Sequence, residues 1–263
     1  MNYKQIKAYA LTLGIISVLT GCFEAPNFPD NPSISFENVE FKEGSSAFDS
    51  LIVSIHYEDG DGDLGIDNNF TDDKYSEGFY YTFNNSGEFV SIKHIGEPVD
   101  IEDFPENSVP PYEHPYTCSN WIENPTLNGT VVNDTLFYVP NPDHFNIFVK
   151  FLYRDINADP SDPFKVFDWV AGDEDSTEKE CGVPVDGRFP ILKDPSDSNA
   201  PIEGTLRYAI VSVGLISFFK DRELKLEVFI KDRKLQDSNT VTITGNKDND
   251  NGVGFTLAGI QVN

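Results

Sequence analysis

The stretch YEDGDGDLGIDNNF, residues 57 to 70, places Asp59, Asp61 and Asp63 at every second position, with Gly60 and Gly62 between them. Carboxylates so spaced suit a hard divalent cation. Calcium takes six to eight oxygens, and a loop supplies them from alternate residues because successive side chains can then wrap one ion. Gly60, Gly62 and Gly65 permit tight curvature, and Asp67 or Asn68 adds further oxygens. The expected metal ligands are therefore Asp59, Asp61, Asp63 and Asp67, with calcium as the ion. The pattern is not an EF-hand. Counting from Asp59, the sixth position is Leu64 and the twelfth Phe70, where that loop requires Gly and Glu. A plainer alternative is a solvated Asp/Gly connection between strands, since both residue types favour turns. Three carboxylates about 5 Å apart repel by roughly 0.8 kcal/mol per pair even at the dielectric of water. The chain must splay them into solvent or neutralise them. A second acidic cluster, Asp248 and Asp250 in GNKDNDNGVG, is expected to be a surface turn.

Other reactive constellations are missing from the sequence. It carries no Gly-x-Ser-x-Gly elbow, His-Glu-x-x-His, phosphate loop or dinucleotide fingerprint. His56, His94, His114 and His144 sit in unrelated contexts and are expected to be ordinary surface or edge residues. With 44 acidic residues, two carboxylates in proximity carry little weight as a glycosidase signal. Trp121 and Trp169 suit either a sugar-stacking platform or core packing, and packing is the expectation. Asp232 and Arg233, where a strand should end, invite a salt bridge or a carbonyl-capping role. No enzymatic activity is expected.

The N-terminus reads as an address. MNYKQIKAYALTLGIISVLTG carries Lys4 and Lys7, then an apolar run from Ala8 to Leu19 that is too short for a permanent transmembrane helix. It ends in Leu19-Thr20-Gly21-Cys22, which resembles the lipobox of bacterial lipoproteins. That resemblance implies cleavage before Cys22 and three acyl chains on it, enough to hold a soluble body at a membrane. The remaining chain has 17 basic and 44 acidic residues, a net charge of −27. Such a body is repelled by phosphate backbones, so nucleic-acid binding is not expected. With Cys22 assigned to lipid, Cys118 and Cys181 remain as a disulfide pair in an oxidising compartment, with two free thiols as the alternative. Closing that loop would stabilise by about 4 kcal/mol on the chain-entropy model.

These features need elements to hold them. Residues 1–21 form the signal peptide, and FEAPNFPDNP makes 22–32 a stiff, extended tether. Residues 33–263 then form a β domain. Alternation puts Leu51, Val53, Ile55 and Tyr57 on one face of SLIVSIHY, and Leu224, Leu226, Val228 and Ile230 on one face of ELKLEVFIKD. HFNIFVKFLYRD (144–155) reads as a central strand buried on both faces. Further strands are expected at 33–41, 79–84, 88–93, 134–139, 165–170, 204–213, 239–244 and 253–262, with a hairpin turn at Asn85 and Gly87. Long loops are expected at 58–78, 94–133 and 171–203. The fold class is all-β: an immunoglobulin-like β-sandwich with long inserted loops.

The lipobox, FEAPNFPDNPSISF, YEDGDGDLGI, CGVPVDGRFPIL, PIEGTLRYAI and LKLEVFIKDRKLQDSNTV together resemble a group of uncharacterised cell-envelope lipoproteins of Bacteroidota, of the Cytophaga–Flavobacterium type. The resemblance spans most of the chain. One departure is Gln236 in DRKLQDSN, where the group carries Asn. The resemblance implies a lipid-anchored envelope protein, with the outer membrane as the expected site, but it brings no activity. Asp134-Thr135-Leu136, and more weakly Asp49-Ser50-Leu51, resemble the O-glycosylation signal of Bacteroidota, which makes Thr135 the candidate modification site. The function expected is a non-enzymatic binding or structural module with a protein or glycan partner. A hydrolase with an unrecognised site, or an accessory subunit of an outer-membrane uptake or secretion complex, are the alternatives. Replacing Cys22 by Ser should abolish labelling by a clickable fatty acid and move the protein from the membrane to the soluble fraction. Unchanged partitioning would remove the anchor.

Overall fold

Strands form where β-branched and aromatic residues alternate with polar ones, because the pleat then sends one set inward. The computed structural model describes residues 26–44, 48–69, 74–83, 89–94, 97–100, 121–127, 129–169, 185–193, 200–212, 214–245 and 254–262. Cys22, Cys118, Cys181, Asn85, Gly87, His114, Asp248 and Asp250 lie outside the described residues. So does the expected signal peptide, and with it the expected lipid site and disulfide.

The described residues are mostly strands in antiparallel sheets. A three-stranded sheet places β2 (Asp49–Asp59) between β1 (Ser33–Lys42) and β12 (Ile202–Ser212). A four-stranded sheet runs β11 (Lys165–Phe167), β10 (Ile147–Asp155), β13 (Arg222–Ile230) and β14 (Val241–Ile243). The two sheets share one continuous core. Leu51, Val53 and Ile55 of β2 belong to it, as do Ile147, Val149 and Phe151 of β10 and Leu224, Leu226, Val228 and Ile230 of β13. Each such buried side chain contributes roughly 1.5–3 kcal/mol against exposure. A five-stranded sheet runs β5 (Glu97–Asp100), β4 (Phe89–His94), β3 (Gly78–Phe83), β9 (Thr135–Pro140) and β6 (Trp121–Glu123). A small hairpin pairs β7 (Thr126–Leu127) with β8 (Thr130–Val131).

The one α-helix among the described residues, α1 (Leu215–Phe219), exists to cap the core. Leu215 and Phe219 are fully buried, and Phe219 stacks on Phe151 with ring centroids 5.5 Å apart. Trp169 meets Phe151 edge-on at 5.1 Å and Phe167 at 4.9 Å, so this indole is a packing element of the core. No helix among the described residues is long and apolar enough to cross a membrane.

Three expectations need correction. Strand β10 is central in its sheet, yet only one face is buried. Lys150 on the other face is exposed, and Phe148 finds shelter by stacking on Phe229 at 4.5 Å instead of in a second core. The apolar run reflects rings covering each other. Residues 253–262 do not form a strand. A 3₁₀ turn, Leu257–Ile260, buries Leu257 and Ile260, and the Thr256 hydroxyl accepts the Gly259 amide. Single bridges at Phe255 and Gln261 are all that remains of strand pairing there. The expected loop 94–133 contains β5 to β8 among its described residues.

Phe151 lies at the centre of the aromatic cluster and is fully buried, whereas Val166 is 49% exposed. Phe151→Ala should cost about 3–5 kcal/mol in denaturant unfolding. Val166→Ala should stay within about 0.5 kcal/mol.

Candidate metal centre

Strand β2 carries the first carboxylate to its place. Asp59 is its last residue and pairs with Ile202 of β12, so its backbone is fixed on that side. The chain then turns sharply, and the Gly60 amide donates to the Pro29 carbonyl at 2.8 Å. A Cβ at Gly60 would lie 2.4 Å from the Phe28 carbonyl oxygen, so the glycine is needed for close approach. Gly62 and Gly65 hold φ of +70° and +94°, the left-handed region that glycine enters at no steric cost. Leu64 and Ile66 then plunge into the interior, fully buried, with the Ile66 amide bonded to the Phe189 carbonyl at 3.1 Å. The burial of Leu64 fixes the backbone directly after Asp63.

The three aspartates are not splayed into water. Asp59 is 0% exposed and Asp61 9%, while the Asp63 side chain is 15% exposed. Their carboxylate oxygens lie within 4.8 Å of one another. The alternative of a solvated turn therefore fails on burial. Asp232, two residues past the end of β13, joins them: it is 0% exposed, and its charge acts on both Asp59 and Asp63. The two segments are zipped together. Leu64 bridges Asp232, and the Arg233 amide donates to the Asp63 carbonyl at 3.3 Å. The Arg233 guanidinium caps the Leu64 and Gly65 carbonyls at 3.1 and 3.3 Å, as its position at a strand end suggested.

Hydrogen bonding uses only part of this oxygen inventory. Asp59 Oδ2 accepts the Asp63 amide at 2.9 Å, Asp232 Oδ1 accepts the Gln236 amide at 2.7 Å, and Asp61 Oδ2 accepts from Lys234. Among the described residues, Asp59 Oδ1, Asp61 Oδ1, Asp63 Oδ1, Asp232 Oδ2 and Gln236 Oε1 are buried without a partner. Buried polar atoms are nearly always satisfied, so five orphans in two adjoining segments demand an explanation. Burial and the neighbouring charges push Asp59 up to about 7. Burial, Asp232 and Asp61 push Asp63 up to about 6, against the opposing pull of Arg233 and Lys234. Burial also raises Asp232. An all-oxygen donor set of this charge suits calcium or magnesium, not zinc or copper.

Asp67 is not brought into the cluster. Its Oδ1 accepts the Asn69 amide and side-chain NH₂ at 2.7 and 2.8 Å, closing a local turn. Asp232 and Gln236 are the residues that sequence reasoning missed. The available signal was charge: Lys231, Arg233 and Lys234 form a basic run in a strongly acidic chain, complementary to the loop beside it.

The remaining candidates are placed plainly. Thr135 opens β9 half-buried, with its amide bonded to Asp134 Oδ1 at 2.8 Å. Ser50 lies inside β2, paired on both sides, next to buried Asp49. His56, Glu58 and Glu203 also converge, but on the half-exposed face of β2 and β12, where His56 also lies 4.0 Å from Glu37. His144 Nδ1 lies 3.0 Å from the Tyr75 carbonyl. A groove beside β10 and β11 is lined by Phe148, Val166, Trp169, Asp168, Asp186 and Glu227. Glu227 pairs with Lys150 at 3.2 Å, and Asp186 accepts the Val149 amide at 2.9 Å, so two of its carboxylates have structural duties. Comparison with known proteins returned no match: no family model, no curated protein and no solved structure aligns with the chain.

The raised carboxylates fix a pH dependence. Asp59 and Asp63 bind protons in the folded chain up to about pH 7 and about pH 6, well above the ordinary 3.8. Between those limits the folded state holds more protons than the unfolded one. Their stabilising contribution is thus full below about pH 4 and is lost as pH rises through about 7. A cation binds the deprotonated oxygens and reverses the trend. Melting in chelator should show a downward slope from pH 5 to 8 that flattens in Asp59→Asn. The increment from added calcium should be larger at pH 8 than at pH 5.

Proposed function

We propose that the chain is a lipid-anchored, non-enzymatic protein of the cell envelope, whose β module is held rigid by a calcium ion at Asp59, Asp61 and Asp63. The observation that carries the calcium reading is the set of buried, unpartnered carboxylate oxygens on these three residues. The ion supplies positive charge and fixes the loop between the sheets. The anchor rests on the lipobox at Cys22 and the resemblance to Bacteroidota lipoproteins. Seven antiparallel strands in sheets of three and four over a shared core support an immunoglobulin-like sandwich as the finer architecture. The groove beside β11 offers a hydrolase no free pair of carboxylates among Asp186 and Glu227. A second reading, an accessory subunit of an outer-membrane complex, draws on Phe79 and Phe83, exposed four residues apart on one face of β3.

A site with a dissociation constant tenfold below ambient calcium stabilises by about 1.4 kcal/mol. For a chain of this size that corresponds to a rise of about 3–6 °C in melting temperature. Millimolar calcium should raise the melting temperature by that amount, and excess EDTA should return it. Identical melting in both would end the calcium reading. Affinity capture from native membranes that returns one stoichiometric partner would favour the second reading.

A further inference from the structure

We infer that the turn formed by residues 232–236 is the second half of this metal centre: Asp232 and Gln236 supply ligand oxygens, and Lys234 is the cation that the metal displaces. The inference rests on the calcium reading and adds the composition and control of the site. Asp232 is wholly enclosed, and its two oxygens have different fates. Oδ1 accepts the Gln236 amide at 2.7 Å and is thereby fixed, while Oδ2 remains buried and unpartnered. Gln236 Oε1 is in the same condition. An enclosed carboxylate oxygen among three other carboxylates has no use as a hydrogen-bond acceptor without a donor. It has one as a ligand.

The turn cannot drift from the acidic loop. The Leu64–Asp232 bridge, the Arg233 amide on the Asp63 carbonyl and the Arg233 guanidinium on Leu64 and Gly65 fasten it at successive points. Tyr75 Oη adds a bond to the Arg233 carbonyl at 2.8 Å from a third segment. The triad's oxygens lie within 4.8 Å of one another, and Asp232 and Gln236 would raise the offer to five oxygens from five side chains. Calcium completes its six to eight with water or a second carboxylate oxygen.

Lys234 behaves differently from its neighbours. Its side chain is 56% exposed, contacts Asp61 Oδ2 and lies 4.0 Å from Asp63 Oδ2. The ammonium offsets the charge of the same two carboxylates that a metal ion would use. A divalent ion there repels it, and its long, exposed stem lets it swing into solvent. The two cations therefore compete, and removing the ammonium has opposite effects on the two states. Metal-free protein loses its only counter-charge in contact with Asp61 among the described residues, whereas the metal loses a rival. A lysine with a purely structural role would not produce that reversal.

The test is calorimetric titration of the full chain in detergent micelles with calcium chloride, together with melting in EDTA. Asp232→Asn should weaken calcium binding at least tenfold and Gln236→Ala several-fold. Lys234→Gln should tighten binding about three- to tenfold, while lowering the melting temperature in EDTA. Lys234→Gln alters an exposed residue, so it remains informative if Asp232→Asn fails to fold. Parental affinity in folded Asp232→Asn would overturn the ligand assignment, and unchanged affinity in Lys234→Gln would overturn the competition. If the parent takes up no calcium, the calcium reading itself falls. If the parent binds and the variants match it, only the present inference does.

Discussion

Four carboxylates cannot share an enclosed space without positive charge. Asp59 and Asp232 are fully buried, Asp61 and Asp63 nearly so, and the oxygens of the triad lie within 4.8 Å of one another. At an effective dielectric near 20, each fully ionised pair at that distance repels by about 3 kcal/mol. A few such pairs rival the whole net stability of a domain, about 5–15 kcal/mol. Three remedies exist, and the site is equipped for each. Protons stay on Asp59 and Asp63 well above the ordinary carboxylate range. The Lys234 ammonium leans on Asp61 and Asp63. A divalent cation offsets half of the four charges in one step, and it alone uses the oxygens that neither protons nor lysine reach.

This constraint sits where the architecture most needs closure. Strand β2 belongs to the three-stranded sheet and β13 to the four-stranded one, and their inward faces share the core. Asp59 ends β2, while Asp232 follows β13 by two residues. The carboxylates therefore meet at a rim where strands of the two sheets end, beside Leu64, which bridges Asp232. The segment after Asp232 continues the closure. Ser238 Oγ accepts the Ile230 amide at 3.0 Å, and Asn239 binds both the amide and the carbonyl of Ile34 in β1 at 2.8 Å. One eight-residue stretch thus joins the end of β13 to the acidic loop and to the first strand.

What the sequence disclosed and what it withheld divide along the same physical line. Alternation is a local property, so the inward set Leu224, Leu226, Val228 and Ile230 was legible, and so were most strand positions. The acidic loop was legible because its three aspartates are neighbours in the chain. Asp232 was not, because its partner Asp61 lies in a segment brought close only by topology; the Lys234–Asp61 contact spans 173 positions. Asp67 is nearer in sequence, yet its carboxylate serves Asn69. The 253–262 segment misled for a related reason. Its apolar residues are spaced to suit a strand, but Thr256 capping starts a 3₁₀ turn that buries Leu257 and Ile260 instead.

The segment before β1 runs beside the charge cluster. Pro29 accepts the Gly60 amide, and Asp30 is close enough to act on Lys234, so the chain enters the body beside the acidic loop. Six residues lie between Cys22 and Pro29, and the seven Cα steps span at most about 25 Å at full extension. On the proposed lipid anchor, the carboxylate rim is then the end of the body held nearest the bilayer. On that proposal, a module with the net charge of −27 expected after cleavage at Cys22 would be repelled by anionic headgroups, most strongly for charges within a Debye length, about 8 Å at physiological salt. On the same proposal, a divalent ion held by Asp59, Asp61, Asp63 and Asp232 would offset half of their charge, and others would gather at the headgroups opposite. The ion that relieves the crowding of the four aspartates would then also let an acidic body rest close to an acidic surface.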